Sequence, residues 1–97
     1  MRIVTHKTIT SFYAKHANSK TALEEWYVIV SKAEWTCFSD IKTSFSSADS
    51  VGNNRFVFNI KGSDYRLVAI VLFQIKIVYV RFIGTHSAYD KINCTNI

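Results

Sequence analysis

Apolar and polar positions alternate with helical periodicity in the first third of the chain and with strand periodicity in the second half. Residues 2–5 (Arg-Ile-Val-Thr) read as a short opening strand. Ile9, Phe12, Tyr13 and His16 then recur three and four apart, the spacing of one helix face. Asn18 and Ser19 punctuate this stretch, and either can cap a second helix. That helix opens on good helix formers, Ala22-Leu23-Glu24-Glu25. Its Leu23, Trp26, Tyr27, Val30 and Ala33 form one apolar stripe, which reads as core rather than as a cofactor contact. From Thr36 to Asn54 the pattern dissolves into Ser39, Ser44, Ser46, Ser47, Ser50, Gly52, Asn53 and Asn54. This reads as a surface connection pinned by Phe38, Ile41, Phe45 and Val51. It is long for a structureless loop, so a short helical turn near residues 39–43 is expected.

Three β-rich segments follow. Residues Phe56–Lys61 form the first, and Lys61-Gly62-Ser63-Asp64 is a tight turn. Tyr65–Phe73 is too apolar for an exposed edge and belongs at the centre of a sheet. Gln74-Ile75-Lys76 turns without Gly or Pro. The β-branched stretch Ile77–Ile83 is the third segment; Gly84 ends it, and Thr85 caps a last short helix over residues 86–93. The order is β-α-α-β-β-β plus a short C-terminal helix. It predicts an α+β fold, a small mainly antiparallel sheet with two N-terminal helices packed on one face. The other face is then open to a ligand. Alternation places Phe56, Phe58 and Ile60 toward the core and Arg55, Val57, Asn59 and Lys61 away from it. By the same rule Arg66, Val68, Ile70 and Leu72 share a face, as do Ile77, Tyr79, Arg81 and Ile83.

Composition narrows the classes. The 97 residues are 48% hydrophobic and 20% charged, an ordinary globular balance that excludes wholesale disorder. The length fits a single domain, residues 1–97, and excludes a separate cofactor domain. Three Gly and no Pro exclude collagen, and two Cys exclude a disulfide scaffold. The longest apolar run, Leu67–Phe73, falls far short of the ~18 residues of a spanning helix. The N-terminus lacks an apolar stretch of signal-peptide length. A cytoplasmic location, no membrane association and reduced Cys37 and Cys94 are expected. Neither Cys has a second Cys or a His at ligand spacing, so no metal site and no cofactor are expected.

Charge points to a partner. Twelve Lys and Arg against seven Asp and Glu give +5. The excess is lopsided: residues 1–52 carry six basic and five acidic side chains, residues 53–97 six and two. A field concentrated in one half suits a polyanion, nucleic acid first and an acidic protein second. Within that half Arg66 and Arg81 each interrupt an apolar strand, which is costly unless they face a solvated or ligand-filled cleft. The structural alternative is snorkelling, or pairing with Asp64 or Asp90. Beyond them runs Gly84-Thr85-His86-Ser87-Ala88-Tyr89-Asp90, in which Tyr89 and Asp90 share the helical face of His86. A His and a Tyr beside two Arg are the parts that RNA cleavage needs. A base takes the 2′-OH proton, cations stabilise the charge growing on phosphate, and an acid or water protonates the leaving 5′-oxygen. Each His also has a structural reading, which suits His6 and His16 best. Phosphate-cradling and nucleophile-elbow glycine motifs are absent.

The stretches Gly52–Val68 (GNNRFVFNIKGSDYRLV) and Val80–Ile92 (VRFIGTHSAYDKI), with Trp26-Tyr27 and Ala33-Glu34-Trp35, resemble the HigB family of bacterial toxins over nearly the whole chain. The resemblance implies a RelE-like fold and a metal-independent endoribonuclease that cuts mRNA on the translating ribosome. It implies a HigA-like helix-turn-helix antitoxin as partner, through which alone the toxin reaches operator DNA. It implies Arg66, Arg81, His86 and Tyr89 as catalytic residues, the two Arg as phosphate-binding cations and His86 and Tyr89 closing the site. Base and acid stay open among His86, Tyr89 and Lys61, with His86 the leading candidate. Arg55, Asn59, Lys61, Lys76 and Lys91 are the expected RNA contacts. Cys94, Asn93, Cys37-Phe38 and the apolar turn at Gln74-Ile75-Lys76 depart from the family pattern. A non-catalytic RNA- or ribosome-binding module, with Tyr65, Tyr79 and Phe82 stacking bases, is the competing reading. An inactive co-repressor subunit is the third.

Overall fold

In a computed structural model describing residues 1–97, the helical stripes and the β-rich segments meet on one face of a single sheet. The elements are β1 (Arg2–Ile3), α1 (His6–Lys15), a 3-10 turn (Ala17–Ser19), α2 (Lys20–Lys32) and α3 (Phe38–Ser44). They continue as β2 (Asp49–Gly52), β3 (Arg55–Ile60), β4 (Tyr65–Leu72), β5 (Ile77–Thr85) and α4 (His86–Tyr89). The five strands lie in the order β1-β5-β4-β3-β2. β1 runs parallel to β5, and every other pair is antiparallel. The fold is α+β with a mixed sheet, and β4 holds the central place that its apolar run predicts.

The core joins Leu23, Trp26 and Val30 of α2 to Phe56, Phe58 and Ile60 of β3 and Leu67, Ala69 and Val71 of β4. Phe58 is its centre. Trp26 and Phe45 meet its ring edge-on at 5.4 and 5.3 Å between centroids, and Trp35 stacks at 6.3 Å. Such offset and T-shaped contacts add to the area that aromatic side chains bury. No helix is long and apolar enough to cross a membrane.

The connection over residues 36–54 holds more structure than its composition suggests. The expected turn near 39–43 is a seven-residue helix, α3. Asp40 braces it, its Oδ2 accepting from the Thr36 main-chain N–H at 2.8 Å and the Thr36 hydroxyl at 2.7 Å. Those bonds hold the Asp40 carboxyl below its usual range. The strand β2 was not expected. It joins β3 through Asn53-Asn54, both with positive φ (52° and 62°), a two-residue hairpin turn that Asn tolerates.

Four further expectations need correction. Neither Asn18 nor Ser19 caps α2: the buried Ser19 hydroxyl donates to the His16 carbonyl at 2.7 Å, and Asn18 Oδ1 accepts from the Tyr65 hydroxyl at 2.6 Å. Gly84 lies inside β5, opposite Arg66, instead of ending it. The last helix is the single turn α4, capped as expected by Thr85 Oγ1 accepting from the Ala88 N–H at 3.1 Å. Finally, Val68 and Ala69 are adjacent in β4 but pair with Phe82 and Val80 in β5, so Arg81 is the extra residue of a bulge. The bulge breaks the two-residue alternation. Phe82, not Arg81, therefore follows Tyr79 on the face away from the helices, and Ile83 turns back toward Leu67 and the core.

Candidate active site

The face away from the helices is where the two resembling stretches meet. Asn59, Arg66 and Gly84 stand in register across β3, β4 and β5. Arg66 is half-buried, and its Nε is sealed from solvent without a hydrogen-bond partner. Neither carboxylate considered for it is engaged with it. Asp64 takes Lys61 Nζ at 3.3 Å, and Asp90 takes His86 Nδ1 at 3.3 Å. The guanidinium instead lies 5.6 Å from the centre of the Tyr89 ring, a cation–π contact.

Gly84 makes that contact possible. A Cβ at this position would fall 2.5 Å from Phe82 Cζ and 3.3 Å from Ala88 Cβ. With no side chain there, α4 folds down onto Phe82 and brings Tyr89 over Arg66. Tyr89 is half-buried, and its hydroxyl donates to Cys94 Sγ at 3.7 Å. Loss of solvent, then the Cys94 contact, hold its phenol above the usual value; the Arg66 charge opposes the rise and Asp49 adds to it. His86 sits exposed at the start of α4, with Nδ1 toward Asp90 and Nε2 without a protein partner.

The remaining expected residues are distributed unevenly. Arg81 is exposed at the bulge and has no carboxylate partner. Lys61 lies in the β3–β4 turn, with φ of 55° and an exposed ion pair to Asp64, and Lys91 is exposed just after α4. Lys76 is not brought to this face. It lies in the turn beyond the far end of β4, and the six residues of strand from Arg66 to Leu72 alone span about 20 Å at ~3.3 Å per residue. There its Nζ donates to the Trp35 carbonyl at 2.7 Å and steadies a turn in which Lys76 has a φ of 57°. Arg55 is occupied as well: Nε and Nη2 donate to the Ile97 main-chain oxygen, and Nη1 donates to the Asn53 carbonyl at 2.9 Å.

The segment after α4 is the feature that sequence reasoning missed. Asn53 Nδ2 donates to the Thr95 carbonyl at 3.0 Å, Arg55 grips Ile97, and Cys94 meets Tyr89. The face expected to be open is therefore strapped at the β2–β3 end, and Val57 and Val68, both outside the core cluster, are buried on it. No group of three His, Cys, Asp or Glu side chains is assembled anywhere in the fold. What the face can do is hold an anion against Arg66 with an aromatic ring above it and an imidazole nearby for proton transfer.

A small basic α+β domain with an arginine, a tyrosine and a histidine on the free face of its sheet is the class that this geometry defines. The chain belongs to the HigB toxin family: residues 19–92, from the end of the 3-10 turn through α4, match the family described as the RelE-like toxic component of a toxin–antitoxin system. It is similar to the mRNA interferase toxin HigB of Escherichia coli (strain K12), at 29% identity over 92 residues, 93% of this chain and 88% of that one. The mRNA interferase HigB of Escherichia coli O6:H1 is 24% identical over 94 residues, covering 95% and 91% of the two chains.

Proposed function

We propose that this chain is the toxin of a toxin–antitoxin pair and cuts mRNA as an endoribonuclease in the cytoplasm, on the translating ribosome. The observation that carries the reading is Arg66: half-buried, unpaired with any carboxylate, its Nε without a partner, and roofed by Tyr89. A phosphodiester oxygen accepts from the Nη groups, which no protein group engages and which, unlike Nε, are not sealed from solvent, and the guanidinium stabilises the charge that grows on phosphate. In the cleavage step the 2′-oxygen bonds to phosphorus and the bond from phosphorus to the 5′-oxygen breaks. The 2′-OH proton leaves to a base, and a proton reaches the 5′-oxygen from an acid or water. His86 Nε2 serves as base or acid, with Asp90 holding the ring through Nδ1. Tyr89 donates a hydrogen bond and orients the substrate. Arg81 adds a second cation from the bulge. The positive charge comes from arginine, so the step is proposed to need no metal ion. A HigA-like helix-turn-helix antitoxin neutralises the toxin and carries it to operator DNA.

The test is primer extension on a reporter mRNA after brief induction of the chain in a bacterial host. Wild type is compared with Arg66→Ala, with and without a translation inhibitor. New 5′ ends within the coding region are expected for wild type, to fall by about 10²–10³-fold in the variant, the scale of removing one transition-state donor. Loss of the ends under the inhibitor makes cleavage ribosome-dependent. Growth arrest without new ends would replace this reading with a non-catalytic binding module.

A further inference from the structure

A second cationic groove lies on the other side of β5 from Tyr89, between that strand and α1. Its walls are Lys7, Thr8, Ser11 and Lys15 of α1, and its floor is Phe12 and Ile83, around a volume of about 510 Å³. Lys7, Ser11 and Lys15 are four residues apart in succession and line one helix face. At 1.5 Å per residue the two lysines stand about 12 Å apart along the axis. Both are exposed, and neither has a carboxylate within ion-pair distance. Their surroundings are unusual for so balanced a chain. The first acid is Glu24; residues 1–23 carry Arg2, Lys7, Lys15 and Lys20 and no Asp or Glu. No local acid therefore offsets the groove's field, and Thr8 and Ser11 add hydroxyl donors between the lysines.

The groove and the candidate active site lie on opposite faces of β5 and share that strand. Its floor residue Ile83 is two residues from Arg81 and three from His86, about 7 and 10 Å along a strand. Phe12 meets the Tyr65 ring edge-on at 5.5 Å, and Tyr65 precedes Arg66 and pairs with Thr85, the cap of α4. β1 pairs with β5 only at Ile77 and Val78, which leaves the β5 edge beside Ile83 unpaired for a chain of phosphates to pass from one face to the other, and no acidic side chain lines the groove itself.

We propose that the α1–β5 groove is a second RNA-binding site, which takes the sugar–phosphate backbone of the single-stranded substrate as it leaves the cleavage site. Lys7 and Lys15 pair with two phosphates, Thr8 and Ser11 donate to the oxygens between them, and Phe12 and Ile83 receive the apolar side of a sugar or base. The inference rests on the ribonuclease reading for the identity of the substrate, but its test does not require cleavage.

The test is binding of a fluorescent 2′-O-methyl oligoribonucleotide, which cannot be cut at its 2′ positions, followed by anisotropy across a salt series. Lys7→Glu/Lys15→Glu is compared with wild type and with Arg2→Glu/Lys32→Glu, which changes net charge equally through exposed residues outside the groove. Single-stranded contacts contribute about 0.7 to the slope of log affinity against log salt each, so the groove variant is expected to lose about 1.4 and the control close to nothing. Equal slopes in the two variants would overturn the proposal, as would the absence of measurable wild-type binding at low salt. A groove-dependent slope in a protein that leaves mRNA uncut supports the groove and overturns the nuclease reading. Arg66-dependent cleavage with a groove-independent slope does the reverse.

Discussion

Each face of the sheet seals one nitrogen away from solvent without a hydrogen bond, and the two nitrogens differ in what surrounds them. On the helix face it is Trp26 Nε1, on a side chain 1% exposed and packed against Phe58. On the opposite face it is Arg66 Nε, on a half-buried side chain under Tyr89. The indole is locked among aromatic rings and has no route to a partner. Its loss, on the order of 1–3 kcal/mol for an unsatisfied buried donor, is offset by the area that Trp26 buries. The guanidinium belongs to a surface that a ligand can reach. The sealed nitrogen is a packing compromise on both faces, and the binding capacity of the free face lies in the Arg66 Nη groups, which are not sealed and which no protein group engages.

The largest effect that separates the faces is in the core. Phe58→Ala removes the ring that Trp26, Trp35 and Phe45 all contact. It is expected to destabilise the fold by about 3–5 kcal/mol in denaturant unfolding. Arg66→Ala should stay within about 1 kcal/mol of wild type, since it removes an unsatisfied buried group along with its aromatic contact. If Arg66→Ala unfolds the protein as Phe58→Ala does, the arginine is structural and the contrast between the faces collapses.

Gly84→Ala sharpens the contrast from the other side. The new methyl group meets the Phe82 ring at 2.5 Å and the Ala88 methyl at 3.3 Å, so α4 must lift or Phe82 must turn. Overpacking of this kind costs about 1–3 kcal/mol. The core is untouched, so the loss of mRNA cleavage should exceed what the fall in folded population explains. A variant with normal activity would show that Tyr89 need not lie over Arg66.

Much of the helix face was legible because burial writes itself into periodicity. Leu23, Trp26 and Val30 on α2 and Phe56, Phe58 and Ile60 on β3 occupy the core as their spacing requires. Arg66 stood out by breaking an apolar run, and Thr85 by its position before a helix. The other face was harder to read. β2 has one apolar residue, Val51, and lies at the sheet edge, where few side chains are buried, so Ser-rich composition hid it. The only local trace of it was Gly52-Asn53-Asn54, residues that tolerate positive φ. The bulge at Arg81 is a one-residue offset without a sequence signature, and it reversed the predicted orientation of Ile83. The strap over residues 94–97 depends on side chains reaching main-chain oxygens more than forty residues away, which periodicity does not encode.

The titration of Tyr89 probes how dry the free face is. Burial and Cys94 raise its pKa above 10.0, so the folded state holds the proton more tightly than the unfolded chain. The sign follows: this group's contribution to stability is complete below the ordinary phenol value and is lost as pH rises through the folded value. In an alkaline absorbance titration one of the five tyrosines should ionise late. Arg66→Ala should delay it further, because the opposing positive charge is gone, and Cys94→Ala should advance it. A Tyr89 that titrates at the ordinary phenol value would mean that the strap does not exclude water.

The smallest expected effect concerns Arg55, whose position on the free face suggested an RNA contact. Its Nε lies 3.0 Å from the Ile97 oxygen and its Nη1 2.9 Å from the Asn53 carbonyl, so one planar fork ties the β2–β3 turn to the strap. Lysine keeps the charge but not the fork. Arg55→Lys should therefore lower stability by only about 0.5–1.5 kcal/mol, the scale of one hydrogen bond. Its signature is local: amide exchange over residues 93–97 should quicken while β3 and β4 stay protected. In Arg55→Gln, which removes the charge, the salt slope for oligoribonucleotide binding should be unchanged, because a guanidinium held by the protein's own carbonyls neutralises no phosphate. If the slope instead falls by about 0.7, one single-stranded contact, with exchange at the strap unaltered, then Arg55 faces RNA. The strapped end of the sheet would then belong to the binding surface, and only the helix face would remain purely structural.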